Sequence, residues 1–469
     1  MKEGGWETAM KQDMDYRFAN ENIPKLILSL SAPAIAAQII NALYNVVDRM
    51  YIGRMPGDGT IALTGVGLAF PIIMVISAFA ALVGFGGAPL ASIKMGEGRR
   101  DKAEELMGNC FAMLVAAAVV LTALLMIFKT QLLNLFGASP DTLPYADSYL
   151  EIYLLGTISV QIALGMNQFV SAQGFAKTAM LTVCIGAALN IILDPVFIFA
   201  LDMGVRGAAL ATIISQTVSA VWVLVFISSK HSNLRLRVRN FRVSPKVAGP
   251  VLALGLSPFI MQSTESLVQV TFNSSLQTYG GDAYVGAMVI MSSIMQFFMM
   301  PIMGLAQGSQ PIISYNYGSG DHGRVKQAIK YMTAFCVSFG ALLWIVMVFF
   351  PQLPIRIFTD DPAVISLTSQ LMRVFFLGMV VFGFQMSFQQ VFIALGQAKV
   401  SIFIAMLRKL ILLIPLVLIL PHVILPRTFG VILAEPIADI TAALTCCALF
   451  AWKYRQLLNG KPGALPQST

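Results

Sequence analysis

The sequence predicts an all-α integral membrane protein, with twelve transmembrane helices in two six-helix lobes related by a pseudo-two-fold axis along the membrane normal. Three observations lead there. The 469 residues are 57% hydrophobic and only 12% charged, with mean hydropathy +0.76. Soluble domains are about 45–50% apolar and about 25% charged, so a soluble enzyme, a disordered chain and a coiled coil are excluded at once. Twelve runs are apolar over the ~20 residues that a helix needs to cross a bilayer. The second six runs repeat features of the first six at a steady offset.

In chain order the runs fall near 26–48, 60–88, 103–128, 147–172, 179–201 and 205–228, then near 247–276, 283–310, 326–350, 366–395, 400–424 and 430–451. The alternating ten-residue strands of a membrane β-barrel are missing from the pattern. The first 25 residues are polar, and the run after them is too long for a cleaved leader, so it is expected to stay in the membrane. Orientation follows the Lys and Arg of the short loops. With the N-terminus cytoplasmic, 22 of the 31 lie in inside segments and six outside, while Arg373, Arg408 and Lys409 fall within spans. Both termini are therefore expected in the cytoplasm, in a cell membrane. The domain reading is a cytoplasmic segment (1–25), an N-lobe (26–228), a basic cytoplasmic linker (229–246), a C-lobe (247–451) and a cytoplasmic tail (452–469).

The linker separates six spans from six, and the halves match. Pro33 recurs 225 positions on as Pro258, Gly57-Asp58 recurs as Gly281-Asp282, and Pro89 with Gly96-x-Gly98 recurs 222 on as Pro311 with Gly318-x-Gly320. Gly156, Gly174 and Lys177 pair with Gly378, Gly396 and Lys399 at the same offset. Six spans per half is an even number, so the repeat is parallel. Two such bundles enclose a central cavity, and rocking them exposes it to each side in turn. That architecture suggests a secondary transporter. No G-x-x-x-x-G-K-[ST] sequence exists to hydrolyse a nucleotide.

Ionisable groups at bilayer depth are costly, so each is a functional hypothesis. Asp48 closes the first span, Asn190 and Asp194 share a face of the fifth, and Thr212 lies in the sixth. From the rise per residue all reach the outer half of the membrane. Singly, Asp48 could cap its helix and the others pair with neighbouring helices. Together their oxygens suit a hard cation, Na⁺ among them, or a shared proton. The second half carries Glu265 in the seventh span and Glu435 and Asp439 in the twelfth. Glu265 reads as a cavity carboxylate or as a partner for Arg373, Arg408 or Lys409. Arg408 and Lys409 read as snorkelling to the inner face. Met288, Met291, Met295, Met299 and Met303 form a helical stripe, either packing or an adaptable wall for varied ligands. Gln269 is among several glutamines adding neutral hydrogen-bonding capacity. The five cysteines and three histidines form no metal-ligand pattern.

These residues resemble the MATE (multidrug and toxic compound extrusion) family over roughly 20–455. The resemblance rests on Pro33, Asn45-x-x-Asp48 through Ile52-Gly53, Ala62-Leu-Thr-Gly-Val-Gly, Gly174 with Lys177, Asn190-x-x-x-Asp194-Pro195 and Gly204-x-x-Gly207-Ala-Ala-x-Ala-Thr212. It implies an antiporter that expels amphipathic, often cationic drugs in exchange for Na⁺ or H⁺, functional as a monomer and needing no other cofactor. It also implies a cation site at Asp48, Asn190, Asp194 and Thr212, bending of the first helix at Pro33, and a substrate or coupling role for Glu265. Asp439, Gln269, Met288, Met291 and Met295 join Glu265 as substrate or coupling candidates. One departure stands out: the tenth span lacks the acid that some members place there, so a C-lobe cation site of that kind is not expected. The alternative is a lipid-linked precursor flippase of the same superfamily, which calls for a cationic cavity. An enzyme would need a catalytic constellation and a channel repeated broken filter segments; neither is visible. Nucleic acid is not an expected partner; small amphipathic cations and membrane lipids are.

Overall fold

The structure is a computed structural model that describes residues 15–56 and 59–458. The Gly57-Asp58 match, residues 1–14 of the N-terminal segment and residues 459–469 of the tail lie outside the described residues. A short helix, α1 (15–20), precedes α2 (Ile23–Gly53), α3 (Gly59–Gly96), α4 (Arg100–Leu135), α5 (Leu143–Leu155), α6 (Thr157–Ala172), α7 (Ala176–Pro195) and α8 (Gly204–Ser228). The second half runs α9 (Pro245–Ser263), α10 (Glu265–Gly280), α11 (Asp282–Gly318), α12 (His322–Phe349), α13 (Gln352–Ile355), α14 (Pro362–Phe375), α15 (Met379–Ala394), α16 (Ala398–Met406), α17 (Ile414–Val423) and α18 (Arg427–Leu458). Among the described residues, eleven stretches are long and apolar enough to cross a membrane, and α5 with α6, bent by 59°, makes a twelfth.

All twelve expected spans are present, with two kinds of difference. Most helices extend several residues past their apolar runs, because polar end residues continue the backbone ladder into the interface. Five spans are also interrupted, among them the fifth, which ends in a π-helical stretch, Val196–Ala200, and the tenth, which passes through a 3-10 turn, Phe376–Gly378. The fourth bends at Gly156. The seventh breaks at Thr264, whose Oγ1 donates to the Ile260 carbonyl at 2.6 Å. The eleventh passes through a π-helical stretch, Leu407–Leu413. Apolar length alone carries no signal for such breaks. The repeat shows in the turns: Gly98 and Gly320 have φ of 74° and 79°, and Gly174 and Gly396 have 88° and 69°.

The lobes meet at the end of the molecule that carries α1 and the turns around Gly98 and Gly320. There α3 crosses α11 backbone to backbone. A Cβ on Gly96 would lie 2.0 Å from the Tyr315 carbonyl oxygen, and one on Gly318 would lie 2.1 Å from that of Ile93. Only glycine fits at either position, as at small-residue membrane interfaces generally. Ser31 Oγ donates to the Leu305 carbonyl and Ser92 Oγ to that of Pro311. This end is closed.

The hydrophobic cores divide unevenly. Ile23, Leu26, Ile27 and Leu30 of α2 are buried in the C-lobe core with Ile312, Ile313, Val325 and Ile329. Ile52, at the other end of α2, belongs to the N-lobe core with Ile72, Ile76 and Leu150. The first span thus starts against one lobe and ends in the other, with Pro33 between.

Candidate functional site

The site grows from the N-lobe helices. On α7, Asn190 and Asp194 are one turn apart and fully buried, at 2% and 0% exposure. Asn190 Nδ2 donates to Asp194 Oδ1 at 3.1 Å and to Thr212 Oγ1 of α8 at 3.3 Å. Asp48, projecting from α2, brings its carboxyl group into contact with that of Asp194. All four residues expected at a cation site therefore converge. Neither carboxylate has a Lys or Arg partner among the described residues. Asp48 Oδ1, Asp194 Oδ2 and Asn190 Oδ1 are buried without a hydrogen-bond partner.

Two carboxylates in contact cannot both keep a full charge in a dry site without a cation or a shared proton. Unpartnered oxygens of this kind are the donors that hard cations take. Sequence reasoning missed the surrounding tyrosines. Tyr44 lies beside Asp48 and Asp194, and the Tyr149 hydroxyl meets the Thr212 side chain. The signal was available, since Tyr44 sits one turn before Asp48 on the same helix.

Beside this cluster lies an open cavity of about 160 Å³. Its wall comes from α2, α6, α7 and α8, and Gln307, Gly308 and Pro311 of α11 close it. Gln38 Nε2 donates to Gln307 Oε1 across the lobes at 3.2 Å. Polar lining residues include Asn41, Asn167, Gln168 and Gln216, while no Lys, Arg, Asp or Glu lines it. Tyr44, Asn190 and Thr212 are shared with the carboxylate cluster.

The C-lobe residues are arranged differently. Arg408 donates from Nε to Asp439 Oδ1 at 2.7 Å and from Nη2 to Glu435 Oε1 at 2.9 Å. Its guanidinium lies 5.0 Å from the Phe382 ring centre. Lys409 pairs with Glu265 and donates to the Met261 carbonyl at 2.8 Å. The snorkelling reading is therefore corrected: Arg408 and Lys409 are 8% and 6% exposed and turn into the lobe. The wider turn of the π-helical stretch brings these consecutive residues toward one side, where carboxylates await them. Glu265 is not a lone carboxylate, although its side chain remains 65% accessible. Gln269 lies one turn along α10, half-buried.

The Met288 and Met291 wall is also corrected. Both are buried in the packed C-lobe core with Met332, Met347 and Phe375, and Met295 packs against that core. Met299 is buried there too, and Met303 is 41% exposed. The stripe faced inward because the outer half of α11 is a core helix of its lobe. The cysteines are free, and among the described residues no His/Cys/Asp/Glu group could hold a metal ion by itself.

A family model described as MatE matches residues 33–196 and 258–419, the two stretches that open at Pro33 and Pro258. The chain is 26% identical over 443 residues to the multidrug export protein MepA of Staphylococcus haemolyticus, covering 94% of this chain and 95% of that one. It is 25% identical to a MepA of Staphylococcus aureus over 457 residues, with 96% and 98% covered. Among solved structures, a MATE protein in a bent conformation is 24% identical with TM-score 0.87, covering 96% of this chain and 97% of that one. The straight conformation gives 23% and the same score, with 95% and 99% covered. With its apolar spans, its duplicated lobes and a family match over both of them, the chain is a multi-pass membrane protein and belongs to the MatE family.

Proposed function

We propose that this protein is a secondary transporter that exports amphipathic, often cationic small molecules in exchange for Na⁺ or H⁺. The carrying observation is the pairing of an uncharged, amphipathic cavity with two neighbouring carboxylates, Asp194 buried and Asp48 half-buried, that form no salt bridge among the described residues. Apolar and neutral hydrogen-bonding walls suit varied ligands, and the unpaired carboxylates attract cations. Asp48, Asn190, Asp194 and Thr212 would hold the coupling ion through side-chain oxygens. Ion and drug would then compete through shared walls, because Tyr44, Asn190 and Thr212 belong to both. The positive-inside rule makes the closed end cytoplasmic, so this state opens outward. The names of the MepA relatives support multidrug export. One chain builds both cavity and ion site, in keeping with a monomer as the working unit.

A lipid-linked precursor flippase would need cations to meet its phosphates, and this cavity wall supplies none. The test is efflux of a cationic dye from proteoliposomes under separately imposed Na⁺ and H⁺ gradients. Efflux should follow at least one gradient and need no nucleotide. A dye flux indifferent to both gradients would overturn the antiport reading.

A further inference from the structure

The segment ahead of the first span has no part in the site above, yet it is tightly held. Phe18, on α1, is 1% exposed, and its ring stacks on Tyr315 with centroids 5.0 Å apart. Its carbonyl oxygen accepts from Asn316 Nδ2 at 3.2 Å and from Arg324 Nε at 3.0 Å. Arg324 Nη2 also donates to the Glu21 carbonyl at 2.7 Å. Those partners belong to α11 and α12, in the C-lobe. On the other side Asp15 forms an ion pair with Arg100, the first residue of α4, in the N-lobe. Arg17 stiffens the connection, reaching Glu21 at 2.7 Å and Ser29 Oγ at 3.0 Å.

We infer that residues 15–22 are a strap that latches the closed end of the transporter, and that its release is required for the lobes to part there. The placement carries the argument. Tyr315, the platform for Phe18, is also the residue whose carbonyl meets Gly96 at the crossing of α3 and α11. The strap therefore lies on the seam itself and touches both of its sides. Parting the lobes at that seam separates Arg100 from Tyr315, Asn316 and Arg324. A strap bound to all four must let go of one side.

The two attachments differ in strength. The C-lobe side has a buried ring and three hydrogen bonds to backbone oxygens. The N-lobe side is one partly exposed ion pair, with side-chain exposure of 43% for Arg100 and 29% for Asp15, and exposed pairs contribute little. The strap therefore releases from Arg100 first and stays with the C-lobe. It favours the state closed at this end without fixing it there.

Electron–electron distance measurements between spin labels at Asp101→Cys and Gln327→Cys would test the inference, in a background without the native cysteines. Both sites are exposed and flank the seam, one on each lobe. The full chain is used with no drug and no gradient, so the result does not depend on the transport reading. Phe18→Ala should raise the population with separated labels roughly tenfold, since ring packing and its attendant hydrogen bonds weaken together. Arg100→Gln, at a partly exposed helix start, should raise it about two- to fivefold. The charge swap Asp15→Arg with Arg100→Asp should return it to the starting distribution. Unchanged distances in folded Phe18→Ala and Arg100→Gln would overturn the strap, and so would a charge swap that behaves like Arg100→Gln alone.

Discussion

The two lobes repeat the same helices but handle charge in opposite ways. In the N-lobe, Asp48 and Asp194 lie against each other, and among the described residues neither forms a salt bridge. In the C-lobe, Glu265, Glu435 and Asp439 each touch a cation supplied by the chain. The offset of 222 shows how this came about. Gly186 and Ala187, which line the N-lobe cavity, correspond to Arg408 and Lys409, which are buried in the C-lobe. At these positions one copy of the scaffold carries small residues beside a cavity, and the other carries a guanidinium and an ammonium group paired with its carboxylates. Under the antiport proposal only the first copy would have to draw a cation from solution. That difference would put ion coupling in the N-lobe and a structural load in the C-lobe.

Removing the built-in cation should do the most damage. Arg408→Gln would leave Glu435 and Asp439 buried and facing each other, and stripping one partner from a buried ionic group costs about 3–5 kcal/mol. The variant should melt far below the parent in detergent. Adding Glu435→Gln and Asp439→Asn should restore much of the loss, because a neutral network of the same shape carries no uncompensated charge. A single variant as stable as the parent would remove the structural load from this cluster.

The corresponding N-lobe change should cost function and not stability. In Asp194→Asn the two like charges no longer face each other, and the new amide can donate to Asp48. Stability should stay within about 1 kcal/mol of the parent or rise, while gradient-driven efflux falls to the level of empty vesicles. Wild-type efflux by this variant would show that coupling does not pass through Asp194. Run together, the two variants should separate folding from transport by lobe.

Much of this contrast could be read from the residues, for identifiable reasons. Asn190 and Asp194 lie four apart on one helix, so the spacing alone put them on one face. Asp48 and Thr212 needed only a depth estimate to join them. The C-lobe network is half visible: Arg408 and Lys409 are both candidate partners for Glu265, but both also fit snorkelling, and the pairing of Arg408 with Glu435 and Asp439 has no signal in the sequence. The reason is local. A sequence of consecutive basic residues near a helix end fits snorkelling, and nothing in it announces the π-helical stretch that turns both inward. The methionine stripe leaves two readings open, and packing is the one that holds. Its periodicity gave the shared face correctly, but periodicity does not say whether a face meets a cavity or a neighbouring helix. The cavity itself depends on where α11 closes against α2, a contact 269 positions apart at Gln38 and Gln307.

The smallest effect, and the most discriminating, concerns Glu265. Its carboxylate meets Lys409 on one side and remains accessible on the other, so it can neutralise the ammonium and still face a passing cation. Glu265→Gln would leave Lys409 with the Met261 carbonyl as its acceptor and put an unbalanced positive charge beside that opening. At a separation of ~8 Å and an effective dielectric of ~20, repulsion of a monovalent drug amounts to about 2 kcal/mol. Export of cationic drugs should therefore weaken by up to roughly thirtyfold, while neutral drugs keep near-parental rates. The double variant Glu265→Gln with Lys409→Gln removes the unbalanced charge and should recover most of the cationic export. Rates for matched cationic and neutral drugs in the same vesicles would decide it. Equal losses for both classes, unrelieved in the double variant, would make Glu265 a counter-ion for folding only, and the C-lobe would then be structural throughout.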